Sequence, residues 1–486
     1  MSRLDFLFVK PNSKKVNYQV LDDFKMTAIE PPLWPAILAG YCREQGLDVD
    51  IIDAEVEGFS NEILSHNIKE LNPKTLVINI CGHNPSASTQ SMTGVKELIN
   101  QIYLNCEGER PKFRIVLHGL HPSALPYKSL EETKADGVII GEGLDTIIQL
   151  QYFDPVIYDL NYLKKEPWIC PSISLFDLTK LPQPAWDLLP IEKYRAHSWH
   201  CFGKIDKRQG YGVVYTSLGC PYDCSFCVIH VMTNGARRVR FRTVEQVMNN
   251  IRFWVSNGIT NIRLIDENFT INRQHALDIC EAISEEYCDK LNIWAYASLH
   301  SLDKRMAEAL SSAGIKWLGI GFESGSQKVL NASNKKQDVS SILDIVYMCK
   351  GEGINIGSNF IFGLPEDTME TMQETLDLAL KVNGEWANFY SCMAYPGSKL
   401  YEEAQTFPWY TKPTSWSAYS QHSHECQPLG TKYLTPAEVL KFRDEAFTTY
   451  FTNPKYLDMI ETKFGLETRS HIENMTKLKL KRKLIC

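Results

Sequence analysis

The chain has 486 residues, more than one ordinary core accommodates, so two or three domains are expected. Hydrophobic residues make up 44% and charged residues 22%, values typical of a globular protein rather than a disordered or fibrous one. The net charge of −7 argues against nucleic acid as the main partner, because phosphate binding requires a concentrated basic face.

The first residues lack the apolar core of a signal peptide, and no apolar stretch approaches the roughly 18 residues of a membrane span. We therefore predict a cytoplasmic protein without a membrane span. The 14 cysteines of such a chain are expected to be thiols or metal ligands rather than disulfides. Only one group of them has the spacing of metal ligands.

The first 150 residues alternate between short apolar runs and segments with helical spacing. The predicted strands are 4–9, 48–52, 76–81, 115–117 and 137–140, and residues 34–45 are a predicted helix. This alternation predicts a doubly wound, Rossmann-like parallel sheet over residues 1–150. Ligands of such sheets bind beyond the carboxyl ends of the strands, where the loops that begin at Cys81, His118 and Gly141 fall.

Residues 151–205 are rich in proline and tryptophan and are interpreted as an ordered connector. The alternation then resumes, with predicted strands near 213–217, 261–265, 292–297, 317–322, 355–361 and 388–393. Six βα units predict an open or partial (β/α)₆ barrel over residues 206–425. A helix over 435–450 belongs to a small helical C-terminal region, residues 426–486, whose closing basic run is predicted to be a solvated tail.

Three cysteines, Cys220, Cys224 and Cys227, have CxxxCxxC spacing directly after the first barrel strand. Three thiolates on a tight loop can bind three irons of a cubane and leave the fourth iron open to a substrate. The alternative is a Cys₃His zinc site with His230 as the fourth ligand. Zinc sites more often use paired CxxC groups, and no second pair follows in this chain.

Further motifs follow the later barrel strands. Asp266 and Glu267 come after the second strand, and Ser298-Leu-His300 comes after the third. The fourth strand is followed by Glu323 and Ser324, the fifth by the segment from Asn359 to Glu366, and the sixth by Tyr395. Chemistry in barrels of this kind occurs on the loops after the strands.

The cysteine loop and the motifs after it resemble the radical S-adenosylmethionine (SAM) superfamily. This resemblance implies a partial (β/α)₆ barrel with a [4Fe–4S] cluster, whose open iron binds the amino and carboxylate groups of SAM. One-electron reduction by a donor such as flavodoxin or ferredoxin would cleave SAM to a 5′-deoxyadenosyl radical. That radical would abstract hydrogen from a small-molecule substrate.

The resemblance also implies which residues contact SAM. Phe226 would lie near the adenine, and Asp266 or Glu267, of which we favour Glu267, would face the ammonium as a carboxylate partner. The other implied contacts are Glu323, Ser324, Ile361, Gly363 and Tyr395. The chain departs from the family in two places: Asn359 replaces the first Gly of the GxIxGxxE pattern, and Ser298-Leu-His300 replaces an Arg-x-Asp pair. His300 is a candidate substrate contact.

The first 150 residues resemble the cobalamin-binding domains that are joined to radical SAM barrels. The similarity lies in Pro31-Pro-Leu-Trp34, in His118-Gly-Leu-His121 and in Gly141-Glu-Gly143. The implied cobalamin contacts are Cys81, Gly82, His83, Gly119, His121, Gly141 and Glu142. The chain lacks the DxHxxG motif, so the usual histidine ligand to cobalt is not supplied. A sheet that no longer holds a corrin is the alternative.

These resemblances together imply a cobalamin-dependent methyltransferase that acts on an unactivated carbon. One alternative is radical dehydration, epimerisation or ring formation on a sugar or natural product without cobalamin. Another is a non-catalytic iron–sulfur or corrinoid-binding protein, which would form no 5′-deoxyadenosine from SAM.

Overall fold

The computed structural model describes residues 3–18, 21, 27–81, 85–152, 168–171, 175–205, 209–288 and 290–485. Two six-stranded parallel sheets dominate the described chain, with the strand orders β2-β1-β3-β4-β5-β6 and β14-β13-β12-β11-β10-β7. A two-stranded antiparallel ribbon, β8-β9, lies beside the second sheet. The predicted mixture of a doubly wound N-terminal domain, a partial barrel and a helical C-terminal region is confirmed.

The first sheet is doubly wound, and its order reverses at β1. Phe6 and Phe8 face a core that is shared with the second sheet, whereas Leu7 and Val9 face a separate core under the helices of the other side. This alternation is what a parallel strand covered on both faces requires. The strands are β1 Phe6–Lys10, β2 Val49–Asp53, β3 Thr75–Asn79, β4 Arg114–His118, β5 Gly137–Ile140 and β6 Trp168–Pro171.

Helices connect these strands and cover both faces of the sheet. Their starts carry ordinary caps: the side chain of Asp53 accepts from the backbone of Val56, and that of Ser60 accepts from Ile63. The helices are α1 Lys14–Tyr18, α2 Leu33–Glu44, α3 Ala54–Glu57, α4 Asn61–Leu71, α5 Met92–Asn105, α6 Leu120–Ala124, α7 Pro126–Thr133 and α8 Leu144–Gln149.

The sixth strand corrects the interpretation of residues 151–205 as only a connector. Trp168 pairs with Gly137 in the parallel register of β5 and β6. A Cβ atom on Gly137 would lie 2.5 Å from the indole of Trp168, so the glycine makes room for this ring. The proline and tryptophan content concealed a strand of four residues, because short edge strands carry little periodic signal.

The second sheet has its strands in chain order, and β7 and β14 form its two edges, as expected for an open barrel. All of its strands run parallel, so their carboxyl ends gather at one end of the sheet. The sheet's strands are β7 Tyr211–Val214, β10 Asn261–Leu264, β11 Asn292–Ala297, β12 Ile315–Glu323, β13 Asn355–Phe362 and β14 Trp386–Ser391, and the ribbon consists of β8 Ser217–Leu218 and β9 Arg240–Phe241.

Aromatic side chains close the amino-terminal end of this barrel. The ring of Trp199 contacts those of Trp294, Trp317 and Trp386, with centroid separations of 5.3, 5.1 and 6.5 Å. Trp199 comes from the segment that precedes the barrel, and this segment therefore covers the barrel's amino-terminal end. A ligand site in the barrel must consequently lie at the opposite, carboxyl end.

Helices surround the barrel and continue into the C-terminal region. They are α9 Val244–Ser256, α10 Arg273–Tyr287, α11 Lys304–Ser312, α12 Gln327–Ala332, α13 Ile342–Gly351, α14 Met369–Val382, α15 Lys399–Thr406, α16 Pro436–Phe451, α17 Pro454–Phe464 and α18 Leu466–Thr476. In the described part of the chain, no helix combines the length and apolar character that a membrane span needs.

The prediction that the basic C-terminal run is wholly solvated is wrong at Arg482. Lys479, Lys481 and Lys483 are exposed, but Arg482 is buried and forms a bidentate ion pair with Asp444 at 2.9 and 3.0 Å. A pattern of like charges does not reveal which member has a buried partner.

Candidate active site between the two sheets

Two cavities lie at the carboxyl ends of the two sheets. The barrel cavity, of about 330 Å³, is lined by the cysteine loop and by residues at the ends of β10 to β14. The interdomain cavity, of about 130 Å³, lies between the first sheet and the barrel. The larger volume is within the range of small-molecule sites.

The three cysteines of the motif are brought together in the barrel cavity. Cys220, Cys224 and Cys227 are free thiols, all partly exposed, and all three line its wall. Burial raises the pKa of Cys224 to about 11 and that of Cys227 to about 12. A hydrogen bond from the backbone N–H of Ile229 partly offsets the rise in the pKa of Cys227, and one from the backbone N–H of Tyr222 does the same for the pKa of Cys220. Such donors stabilise thiolate ligands of an iron–sulfur cluster.

The thiols fit a cluster better than a single metal ion. Within the described residues, no group of three or more His, Cys, Asp or Glu side chains converges as one ion would require. His230, the fourth ligand of the zinc alternative, hydrogen bonds through Nε2 to the carbonyl oxygen of Tyr222 at 2.6 Å. A cubane spreads its ligands over a larger volume than one ion does, so three thiols around one cavity suit it.

The two acids after β10 have different environments. Asp266 is fully buried and accepts hydrogen bonds from the backbone N–H of Thr216 at 2.7 Å and from the hydroxyl of Ser217 at 3.0 Å. Glu267 lines both cavities and accepts from the backbone N–H of Gly219 at 3.1 Å. Burial raises the pKa of Glu267 to about 7. Glu267 is thus the acid available to a ligand in the barrel cavity.

Of the two residues predicted after β12, only the first reaches the barrel cavity. Glu323 lines it and forms an ion pair with Lys335 at 3.0 Å. Ser324 is buried outside that lining, with its hydroxyl 3.1 Å from that of Thr375 and accepting from the backbone of Ser326. Glu323 is the last residue of β12 and has a φ of +63°, so the alternation of the strand does not extend to Ser324.

Part of the segment at the end of β13 also lines the barrel cavity. Ile361 and Phe226 share an apolar cluster and line the barrel cavity, as Asn359 does. Gly363 does not line it. Its φ is +82°, and a Cβ atom there would lie 2.6 Å from the side chain of Val439. The close approach that requires this glycine is therefore made by helix α16.

Aromatic residues complete the barrel cavity. Tyr395 lines it, as predicted, and donates a hydrogen bond to the carbonyl oxygen of Tyr419 at 3.3 Å. His300 also lines it, with its ring 5.8 Å from that of Tyr222, and burial lowers its pKa. The lining residues that sequence analysis missed include Tyr296, Lys335, Tyr390 and Gln421. The inward alternation of β11 and β14 was a signal for the tyrosines, but Gln421 has no motif.

The interdomain cavity begins at the point where the first sheet reverses its order. Lys10 at the end of β1, Cys81 after β3 and Glu142 after β5 line it. Such a switch point is where doubly wound sheets bind ligands. Gly82 and His83, two of the predicted cobalamin contacts, lie outside the described residues. Apolar side chains form another part of the wall: Pro31, Pro32, Leu33, Trp34, Leu120, Leu218, Ile229 and Met232.

Neither His118 nor His121, the two histidines that the structure describes on these loops, lines this cavity. His118 is held at 2.7 Å from Nδ2 of Asn79 and at 3.0 Å from the carbonyl oxygen of Gly141, and burial lowers its pKa to about 4. His121 is 3.1 Å from the hydroxyl of Thr89, and burial lowers its pKa to about 3. Among the described residues, the apolar wall therefore fits a corrinoid, and neither His118 nor His121 is placed to ligate its cobalt.

Of the three glycines predicted to contact cobalamin, two lie in the described residues, and the backbone around each requires a glycine. Gly119 has a φ of +125°, and a Cβ atom there would lie 2.5 Å from the carbonyl oxygen of Ile80. Gly141 has a φ of +76° and would crowd the carbonyl oxygen of Met232 at 3.0 Å. Neither glycine lines the interdomain cavity, so their positions are required by the turns and by packing against the barrel.

Two buried ion pairs join the domains around this cavity. Arg263 of β10 donates to both carboxylate oxygens of Glu30, at 2.8 and 2.7 Å. Arg240 of β9 is paired with Glu142, with one contact at 2.8 Å. Buried pairs of this kind are costly to break, because one charge is left without compensation.

The two cavities share part of their walls. Ile229, Arg263, Glu267 and Tyr296 line both. A molecule at this shared wall would touch whatever occupies the barrel cavity on one side and the interdomain cavity on the other.

Comparison with other proteins agrees with this division. Residues 24–151 match the family model of the B12 binding domain, and residues 214–379 match that of the radical SAM superfamily. An uncharacterised methyltransferase of Pyrococcus horikoshii is 27% identical over 88% of this chain and 89% of its own length. The anaerobic magnesium-protoporphyrin IX monomethyl ester cyclase of Rubrivivax gelatinosus is 24% identical over 82% and 69%.

The fold has a counterpart among solved structures. TsrM from Kitasatospora setae, a radical SAM methyltransferase solved with cobalamin and a [4Fe–4S] cluster bound, superposes with a TM-score of 0.66 at 16% identity. The superposition covers 94% of this chain and 90% of TsrM. With both family models matched in this order, the chain belongs to the radical SAM superfamily of enzymes and carries a B12 binding domain ahead of its radical SAM domain.

Proposed function

We propose that this enzyme is a cobalamin-dependent methyltransferase that acts on an unactivated carbon of a small molecule. The observation that carries the proposal is the shared wall: the cavity with the three cysteines and the cavity at the first sheet's switch point meet at Ile229, Arg263, Glu267 and Tyr296. When bound, the cluster would supply the electron that cleaves SAM, and the corrinoid would supply the methyl group.

The chain's own residues would position these groups. Cys220, Cys224 and Cys227 would ligate three irons, and a low-potential donor such as flavodoxin or ferredoxin would supply the electron. Glu267 would accept from the SAM ammonium, since a carboxylate is the natural partner of three N–H donors. Phe226 and Ile361 would flank the adenine, with Glu323 and Tyr395 also bordering SAM.

On the other side of the shared wall, Cys81 and the apolar residues around Trp34 would face the corrin. The methyl acceptor would then lie beside Tyr296 and Tyr390, and His300 stays a candidate contact for it. Because aromatic side chains close the amino-terminal end of the barrel, SAM, the corrinoid and the methyl acceptor would all lie at its carboxyl end.

A second candidate is radical chemistry without methyl transfer. The similarity to the Rubrivivax cyclase favours it, because that relative is not described as a methyltransferase. The two candidates differ in their products: methyl transfer adds one methylene unit to the mass of the acceptor, whereas cyclisation, dehydration or epimerisation does not.

SAM cleavage tests the radical step. We expect anaerobically reconstituted protein with dithionite to convert SAM into 5′-deoxyadenosine and methionine, measured by liquid chromatography and mass spectrometry. Cys224→Ala should reduce the rate at least 100-fold, because one cluster ligand is lost. Cys288→Ala, which removes an exposed cysteine outside the cavity, is the matched control. Equal rates for the two variants would contradict the assignment.

A further inference from the structure

The turn after helix α12 is fixed to the cysteine loop. The backbone N–H of Ser225 donates to the carbonyl oxygen of Ser333 at 3.0 Å, and the side-chain amide of Asn334 lies 3.4 Å from the carbonyl oxygen of Asp223. Ser225 and Ser333 are both buried. Since Asp223 and Ser225 flank Cys224, these contacts hold the next residue of the turn, Lys335, against the cysteines.

The ammonium of Lys335 shares the barrel cavity with all three thiols. Its side chain is 22% exposed and pairs with Glu323 at 3.0 Å, whereas the neighbouring Lys336 is exposed at the cavity rim. The charge of Lys335 interacts with Cys224 and Cys227 as well as with Glu323.

A cation held in this position changes the energy of adding an electron. A cluster bound by three thiolates becomes more negative when it is reduced, and a nearby positive charge favours the reduced form. The effect persists for a buried charge and is screened by water for an exposed one. Lys335 and Lys336 carry the same charge, but the charge of Lys335 affects the energy of reducing the cluster more strongly, because Lys335 is less exposed to water.

We propose that Lys335 raises the reduction potential of the cluster, with Glu323 moderating the effect. The proposal rests on the proposed function, since it requires a cluster on the three cysteines. The reaction concerned is the transfer of one electron from a low-potential reductant, dithionite in the test, to the oxidised cluster, with no bond made or broken in the protein. Lys335 would change the reduction potential through its charge and is not one of the cluster's ligands.

The test is a redox titration of the reconstituted protein without SAM, followed by the electron paramagnetic resonance signal of the reduced cluster. Lys335→Gln should lower the ratio of reduced to oxidised cluster at a fixed potential by about tenfold, which is 59 mV for a one-electron couple. Glu323→Gln should shift the potential in the opposite direction. Lys335→Arg should leave it near the wild-type value, and so should Lys336→Gln, the matched control.

The outcomes separate the two proposals. Wild-type protein that takes up no iron and sulfide would contradict the proposed function itself. If the wild-type protein holds a cluster, two results would overturn the inference. One is an unchanged potential in both Lys335→Gln and Glu323→Gln, and the other is an equal shift in Lys335→Gln and Lys336→Gln. If Lys335→Gln fails to hold a cluster, the sign of the shift in Glu323→Gln decides: a shift to lower potential would overturn it.

Discussion

At the scale of single residues, the two acids after β10 show how a motif becomes a site. Asp266 and Glu267 are adjacent in the sequence, yet their carboxylates have different partners. Asp266 accepts hydrogen bonds from the backbone of Thr216 and the hydroxyl of Ser217, whereas Glu267 lines both cavities. Asp266 thus fixes the loop, and Glu267 is left for a ligand.

This difference predicts unequal effects of mutation. Glu267→Gln should weaken SAM binding about tenfold or more, because a hydrogen bond to a charged group contributes about 1.5–3 kcal/mol. The dissociation constant of the reconstituted protein, measured anaerobically by calorimetry, checks this. Glu281→Gln, which neutralises an exposed acid on helix α10, is the control. The same affinity in both variants would show that Glu267 does not contact SAM.

The sequence predicted some residues of the site and not others, for physical reasons. Cys220, Cys224 and Cys227 have a spacing that is rare outside metal sites, so their shared cavity could be expected. Ser324 and Gly363 were assigned by motif but lie outside the cavity lining, because each directly follows the last residue of its strand, where packing rather than strand alternation sets the direction. Lys335 has no motif, since contacts with a distant loop bring it to the cysteines.

At the scale of elements, a strap of residues 416–426 closes the barrel cavity from the C-terminal side. The side-chain amide of Gln421 is fixed by two hydrogen bonds with the backbone of Ser391, at 2.9 and 2.8 Å. Trp416 donates to Glu132 at 2.6 Å and packs edge-on against the ring of His121, 4.6 Å away. The strap thereby connects the N-terminal domain to the cavity that would hold SAM and substrate.

Arg482 fastens this strap. Its Nη1 donates to the carbonyl oxygens of Gln421 and Ser423 at 2.9 and 3.2 Å, while the rest of the guanidinium holds Asp444. We expect Arg482→Gln to cost about 1.5–3 kcal/mol in the strap's local stability. Hydrogen exchange followed by mass spectrometry should show faster exchange in residues 416–426. Lys481→Gln, an exposed neighbour, should leave the exchange unchanged; equal protection in both would refute the role of Arg482.

Most of these elements were predictable from hydrophobic pattern, and the exceptions are short or irregular. The barrel strands agree with their predicted positions to within three residues, because each is a buried apolar run. Strand β6 was missed, as was the strap, whose 3₁₀ turn at Ser417–Tyr419 is held by long-range contacts rather than by local periodicity.

At the scale of the whole molecule, the function depends on how the two sheets face one another. Glu30 and Arg263 are 233 residues apart in the chain and form one of the two ion pairs between the domains. Sequence patterns predicted each domain separately, and the resemblance predicted that both cofactors belong together. The shared wall could not be predicted, because no local pattern encodes which loops of two domains meet.

The central claim, that the interdomain cavity serves a corrinoid beside the SAM site, is tested most directly by corrinoid binding. The protein is purified anaerobically in the presence of hydroxocobalamin, and bound corrin is measured from its absorbance and the protein concentration. We expect about one corrinoid per chain, retained in Cys224→Ala because the corrinoid and cluster sites have separate ligands. Protein that assembles an iron–sulfur cluster and cleaves SAM but retains no corrin would contradict the claim.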